Sequence, residues 1–199
     1  MKQHGATADA RRPRLVIGPW QHIINTSRKL GAFDYGADAV IDWDGYVCRW
    51  FDHWLKGRDN GVTSDPPVHV FVMGRNQWRA EQDWPLPQTR WTKYFLHSSG
   101  HANSIGGDGT LSTTIEEDAA EFDSYVYDPA KPTRSPFTGG HIEDGAVDTR
   151  KSSSGEDVLV YTTPPLEAEV EVTGPITAKL FAATSARDTD WMVRLCDVQ

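Results

Sequence analysis

The chain has 199 residues, of which 38% are hydrophobic and 24% charged, so it has the composition of a globular chain and the length for one large or two small domains. Its formal net charge of −8 argues against nucleic acid and anionic membrane surfaces as partners. No apolar run is long enough to span a bilayer, and the opening Met1-Lys2-Gln3-His4-Gly5-Ala6-Thr7 lacks the apolar stretch of a signal peptide, so a cytoplasmic location is expected.

In chain order the first zone, residues 1–58, opens with a short strand at 14–17. The run Leu15-Val16-Ile17-Gly18-Pro19-Trp20-Gln21-His22 stops abruptly at Gly-Pro and hands a histidine to a loop. Many hydrolases present a catalytic base in this way; the plainer reading is a loop histidine bonded to backbone. No Gly-x-Ser-x-Gly elbow occurs in the chain to carry the nucleophile such a base would serve. Asp34-Tyr35-Gly36 has turn chemistry. Trp43, Tyr46, Val47, Trp50 and Trp54, widened by Phe51 and Leu55, recur at helical spacing. Asp42 or Asp44 suits the first turn of this helix, Lys56 the last, and Gly57 the C-cap. His53 belongs to its flank. The aromatic stripe needs a sheet to pack on, and the strand partners of that sheet are expected to lie outside the chain.

Residues 59–66 have linker composition. The third zone, 67–199, is all β, with strands expected near 68–73, 91–96, 125–127, 158–161, 168–172, 177–182 and 191–196. Thr173-Gly174-Pro175 and Asp188-Thr189-Asp190 punctuate it, and the polar, Gly-rich stretch 139–155 reads as a long loop. Many short strands without helices imply a sandwich or jelly roll. The chain stops just after a strand, so the sandwich is expected to be incomplete.

Other chemistry-bearing residues have ordinary readings. His97 and His101 flank a turn and lack a third ligand at metal spacing. Gly106-Gly107-Asp108-Gly109 is a turn without the following helix a phosphate site needs. Glu116-Glu117-Asp118 is a solvated face. Asp188 and Asp190 offer too few oxygens for calcium. Trp78, Trp84 and Trp91 suit a sugar- or acyl-binding surface or, more commonly, an interface. Cys48 and Cys196 sit in apolar patterns and read as buried free thiols.

The order of these pieces resembles one family. Leu15 to His22, then Asp34-Tyr35-Gly36, then Arg49-Trp50-Phe51-Asp52-His53-Trp54-Leu55-Lys56-Gly57 look like the end of the α/β-hydrolase domain of X-Pro dipeptidyl-peptidase and cocaine-esterase-like (CocE/NonD) hydrolases. Pro67-Val68-His69-Val70-Phe71-Val72-Met73-Gly74, Trp78-Arg79, Trp84-Pro85, Tyr94-Phe95-Leu96, Tyr127-Asp128-Pro129 and Asp188-Thr189-Asp190 look like that family's C-terminal β-sandwich. The resemblance implies an α/β plus all-β fold class: the remnant of an α/β-hydrolase domain over 1–58, a linker over 59–66 and an incomplete jelly roll over 67–199. It assigns His22 as the base of a Ser-His-Asp triad whose serine and aspartate lie upstream and have no match here. Acyl transfer on a small ester or peptide substrate follows, with no cofactor and no metal. The chain alone is then expected to be inactive, with the missing upstream catalytic segment as its partner; homo-oligomerisation stays open. The alternative is a non-catalytic jelly-roll module that binds a ligand or carbohydrate, or that docks a separate polypeptide.

Overall fold

The computed structural model describes residues 4–22, 27–115, 121–133, 135–136 and 146–198. The acidic run at 116–118 and part of the 139–155 stretch lie outside them. Among the described residues the chain forms three small sheets and one helix.

Strand β1 (Leu15–Ile17) is followed by the two-residue strands β2 (Lys29–Leu30) and β3 (Phe33–Asp34), which pair antiparallel. Helix α1 (Trp43–Lys56) comes next. Its ends follow the local signals: the Asp42 side chain accepts from the Gly45 N–H at 2.9 Å, and Gly57 takes the left-handed conformation (φ 66°) that closes the last turn. Strands β4 (Val68–Val72) and β5 (Gln77–Glu81) form a hairpin with Phe71 opposite Trp78.

The sheet order is β1-β4-β5, and β1 runs parallel to β4 with Leu15 opposite Val68 and Ile17 opposite Val70. β1, α1 and β4 therefore make a strand–helix–strand crossover. This corrects the expectation that the helix has no strand partners in the chain: β4, beyond the linker-like stretch, supplies one. The stretch itself is held down. Arg49 pairs with the Asp65 carboxylate and donates to Asn60 O at 3.0 Å, Asn60 Nδ2 returns a bond to Arg49 O at 2.7 Å, and Arg14 Nη1 donates to Pro66 O at 2.7 Å. Linker composition describes the exposed face of such a segment and says nothing of what two arginines can do to its carbonyls.

The first two turns of the helix pack while its end stays open. Trp43, Tyr46, Val47 and Trp50 are half-buried, whereas Phe51, Trp54 and Leu55 are exposed. The core sits between the hairpins, where Leu30, Tyr35, Ala39 and Phe71 cluster with Trp78 against them.

Strand β6 (Phe95–His97) pairs antiparallel with β7 (Thr110–Ser112). The expected strand at 158–161 is reduced to bridges, Asn103 to Leu159 and Thr110 to Thr162. The segments at 125–127, 168–172, 177–182 and 191–196 have strand composition, but no ladder forms there among the described residues. A strand is stable only beside another, and Val170, Val172, Ile176, Phe181, Met192 and Leu195 stand exposed. The 169–173 stretch nevertheless lies on the β4–β5 hairpin through ion pairs from Arg75 to Glu169 (3.1 Å) and from Arg79 to Glu171 (2.8 Å). Both cysteines are free, as expected, but exposed rather than buried: Cys48 occupies a face of α1 that the sheet does not cover, and Cys196 lies in an unpaired segment.

Candidate functional site

The chain leaves the sheet at Ile17, off the carboxyl end of the parallel β1–β4 pair, where α/β sheets place their reactive loops. What happens next depends on a glycine. The Trp20 indole folds back over Gly18 so closely that a Cβ there would lie 2.5 Å from ring atoms. Pro19 is buried beneath the turn. Trp20 is then fixed on three sides. Its Nε1 donates to Ala39 O at 2.7 Å, and its ring lies 5.8 Å from Trp43 and 5.6 Å from Trp78. Trp78 Nε1 donates to Asp38 O at 2.6 Å. Two indoles from distant parts of the chain thus bond successive carbonyls of the turn Ala37–Ala39, and Ala39 is fully buried.

The rings continue in both directions. Trp78 meets Phe71 edge-on, Phe71 meets Tyr35, and on the other side Trp43 stacks on Tyr46, whose ring meets His69. Each such contact contributes about 0.5–1.5 kcal/mol beyond area burial. The row joins β1's exit loop, α1, β4 and β5 into one support.

His22 stands exposed two residues beyond Trp20. Among the described residues no carboxylate or hydroxyl hydrogen-bonds its ring. Asp34 is engaged in its own turn: Oδ1 accepts from the Gly36 N–H at 2.9 Å and Oδ2 from Arg28 Nη2 at 2.7 Å. The Gly36 N–H, then the Arg28 guanidinium, hold its carboxyl below the usual range.

Among the described residues, His53, His97 and His101 are bonded to backbone carbonyls. His53 stacks on Trp54 and its Nδ1 lies 2.9 Å from Arg58 O. His97 is buried and donates from Nε2 to Thr114 O at 2.9 Å, and His101 Nδ1 lies 2.8 Å from Ser99 O. The glycine-rich turn is tied by Asp108, whose N–H donates to His101 O at 3.0 Å. Trp78 is the tryptophan of its trio that joins the core, while Trp91 is exposed.

One polar node escaped the sequence reading. Asp123 Oδ2 accepts from Ser98 Oγ and from the Tyr161 hydroxyl, both at 2.6 Å, and Oδ1 accepts from the Ala102 N–H at 2.8 Å. Desolvation, the largest single influence, pushes this carboxyl up; the three hydrogen bonds together outweigh it and hold it below the usual range. Burial, then the Asp123 carboxylate, push the Tyr161 phenol well above its ordinary value. The node ties together segments 25 and 38 residues apart, a separation no local motif records.

Residues 60–199 match the family described as the X-Pro dipeptidyl-peptidase C-terminal non-catalytic domain. The chain is 40% identical over 200 residues to the cocaine esterase of Rhodococcus sp. (strain MB1 Bresler), a match covering 97% of this chain and 34% of that protein. It is 32% identical over 195 residues to a candidate serine esterase of Mycobacterium bovis, covering 92% of this chain and 28% of that one. Among solved structures, an aminopeptidase from a marine sediment archaeon, Thaumarchaeota archaeon, superposes with a TM-score of 0.52 at 26% identity, over 77% of this chain and 25% of that one. The chain spans about a third or less of the length of these proteins.

Proposed function

The chain belongs to the X-Pro dipeptidyl-peptidase C-terminal domain family, and from that premise we propose that it is the rear part of a serine hydrolase that cleaves ester or peptide bonds. Its relatives are esterases by name, one of them a serine esterase, which supports the class of chemistry. The observation that carries the reading is the placement of His22 beyond the carboxyl end of a parallel strand, on a loop anchored by Trp20.

On this reading residues 1–58 are the end of an α/β-hydrolase domain, 59–66 connect it, and 67–199 belong to a jelly roll. His22 takes the proton of a serine hydroxyl as that oxygen attacks the carbonyl, then returns it to the leaving group. An imidazole titrates close enough to neutrality for both steps. The serine and the orienting aspartate come from a segment upstream of this chain, and that segment is the partner. The end of α1 supports the need for one, because Phe51, Trp54 and Leu55 stand exposed there.

The second reading, a non-catalytic docking or binding module, is favoured by the description of the family that covers 60–199. A serine-directed fluorophosphonate probe separates part of this. The 199-residue chain should stay unlabelled; stoichiometric labelling refutes the proposal that its nucleophile lies elsewhere. The DNA upstream of the Met1 codon supplies the rest. If it encodes a Gly-x-Ser-x-Gly elbow in frame, the joined protein should hydrolyse esters, and His22→Ala should lower kcat by roughly 10⁴–10⁶-fold. Activity that survives the substitution removes His22 from the mechanism.

A further inference from the structure

We propose that Trp78, which lies in the segment matching the non-catalytic domain, is a positioning residue for His22 and acts through Trp20. The inference rests on the reading of His22 as the base; the coupling between the two residues stands or falls separately.

Trp78 is itself well placed to act as a support. The β4–β5 register sets it opposite Phe71, whose ring it meets at 5.4 Å, and its Nε1 is committed to Asp38 O. Its other neighbour is Trp20 at 5.6 Å, bonded to the next carbonyl, Ala39 O. Removing Trp78 takes away one wall of the Trp20 site and one of the two indole bonds to the turn Ala37–Ala39.

Chain reach shows what that means for His22. With Trp20 fixed, only Gln21 intervenes, and the His22 Cα stays within about 7 Å of an anchored Cα. With Trp20 released, the next anchor is the buried Pro19, and the tether grows to about 10 Å. A general base must hold its geometry far more tightly, since a displacement near 1 Å costs about a hundredfold in rate. On this account the C-terminal segment contributes no reacting group, yet it decides where the base stands.

The test is backbone ¹⁵N relaxation on the 199-residue chain. In Trp78→Ala the order parameters of Trp20, Gln21 and His22 should fall from about 0.85 to below about 0.6, while β6 and β7 keep theirs. Trp78→Phe, which keeps a ring against Trp20, should restore most of the order. A folded Trp78→Ala whose values at 20–22 match the wild type overturns the proposal. If that variant does not fold, Trp78→Leu fills the volume without the ring or the N–H and is read in the same way. Intact hydrolysis by His22→Ala in the joined protein would remove the base reading while leaving the relaxation result in place, so the two failures are distinguishable.

Discussion

Replacing Asp123 by alanine removes the acceptor of three hydrogen bonds at once. The Ala102 N–H loses its partner in a residue that is fully buried, which costs about 1–3 kcal/mol. The Ser98 and Tyr161 hydroxyls lose charge-assisted bonds, but both residues are only half-buried and can turn toward water, so roughly 1 kcal/mol each is a fair allowance. The sum is about 3–5 kcal/mol, a large part of the 5–15 kcal/mol by which a typical domain is stable. Urea unfolding should show the midpoint falling at an unchanged slope. Because hydrogen bonding depresses the Asp123 pKa, its contribution is fully present above the unfolded carboxyl pKa and is lost as pH falls through the folded value. The gap between wild type and Asp123→Ala should therefore close in acid. A loss below about 1 kcal/mol at neutral pH would mean that the three donors find water or new partners at little cost, and the node would not be the tie described.

Two further outcomes follow from the same geometry. Gly18→Ala places a Cβ against the Trp20 ring, so the indole must swing off Ala39 O; we expect a loss of about 1–3 kcal/mol and a red-shifted tryptophan emission, and an unchanged emission spectrum would refute the close approach. For Asp65, the Arg49 hydrogen bond, opposed by desolvation, holds the carboxyl down, so its stabilisation is present at neutral pH and fades as pH drops through the folded value; the Tm difference between wild type and Asp65→Asn, followed from pH 7 to pH 3, should shrink, and a constant difference would exclude the ion pair as its source.

The helix is the part of this protein most legible in the sequence. Asp42, the aromatic spacing from Trp43 to Trp54 and Gly57 all act within a few residues of one another, so local physics places its start, its apolar face and its end. Strand β4 is legible for the same reason, because Val68-His69-Val70-Phe71-Val72 is β-branched and aromatic, whereas its hairpin partner β5, Gln77-Trp78-Arg79-Ala80-Glu81, carries no such pattern and was not among the expected strands. The resemblance, carried by pieces from Leu15 to Asp190 taken in their order, was enough to place the chain in its family, and within it the Leu15 to His22 piece singled out His22 as the candidate base. The clamp behind that motif could not be read. Trp20 and Trp78 are 58 positions apart, and nothing in their spacing says that they bond Asp38 O and Ala39 O side by side. Nor could the pairing of β1 with β4, which crosses a helix and a linker-like stretch, or the convergence of Ser98, Ala102 and Tyr161 on Asp123. In the segments beyond 163 the converse holds: composition favours strands, yet among the described residues no ladder forms, because a strand is defined by its neighbour and not by its own residues. By itself the sequence determined helix, turns, family and candidate base, which depend on contacts a few residues long. Tertiary structure alone decided what holds Trp20, two residues before that candidate, because the groups around it are brought together by folding across distant segments.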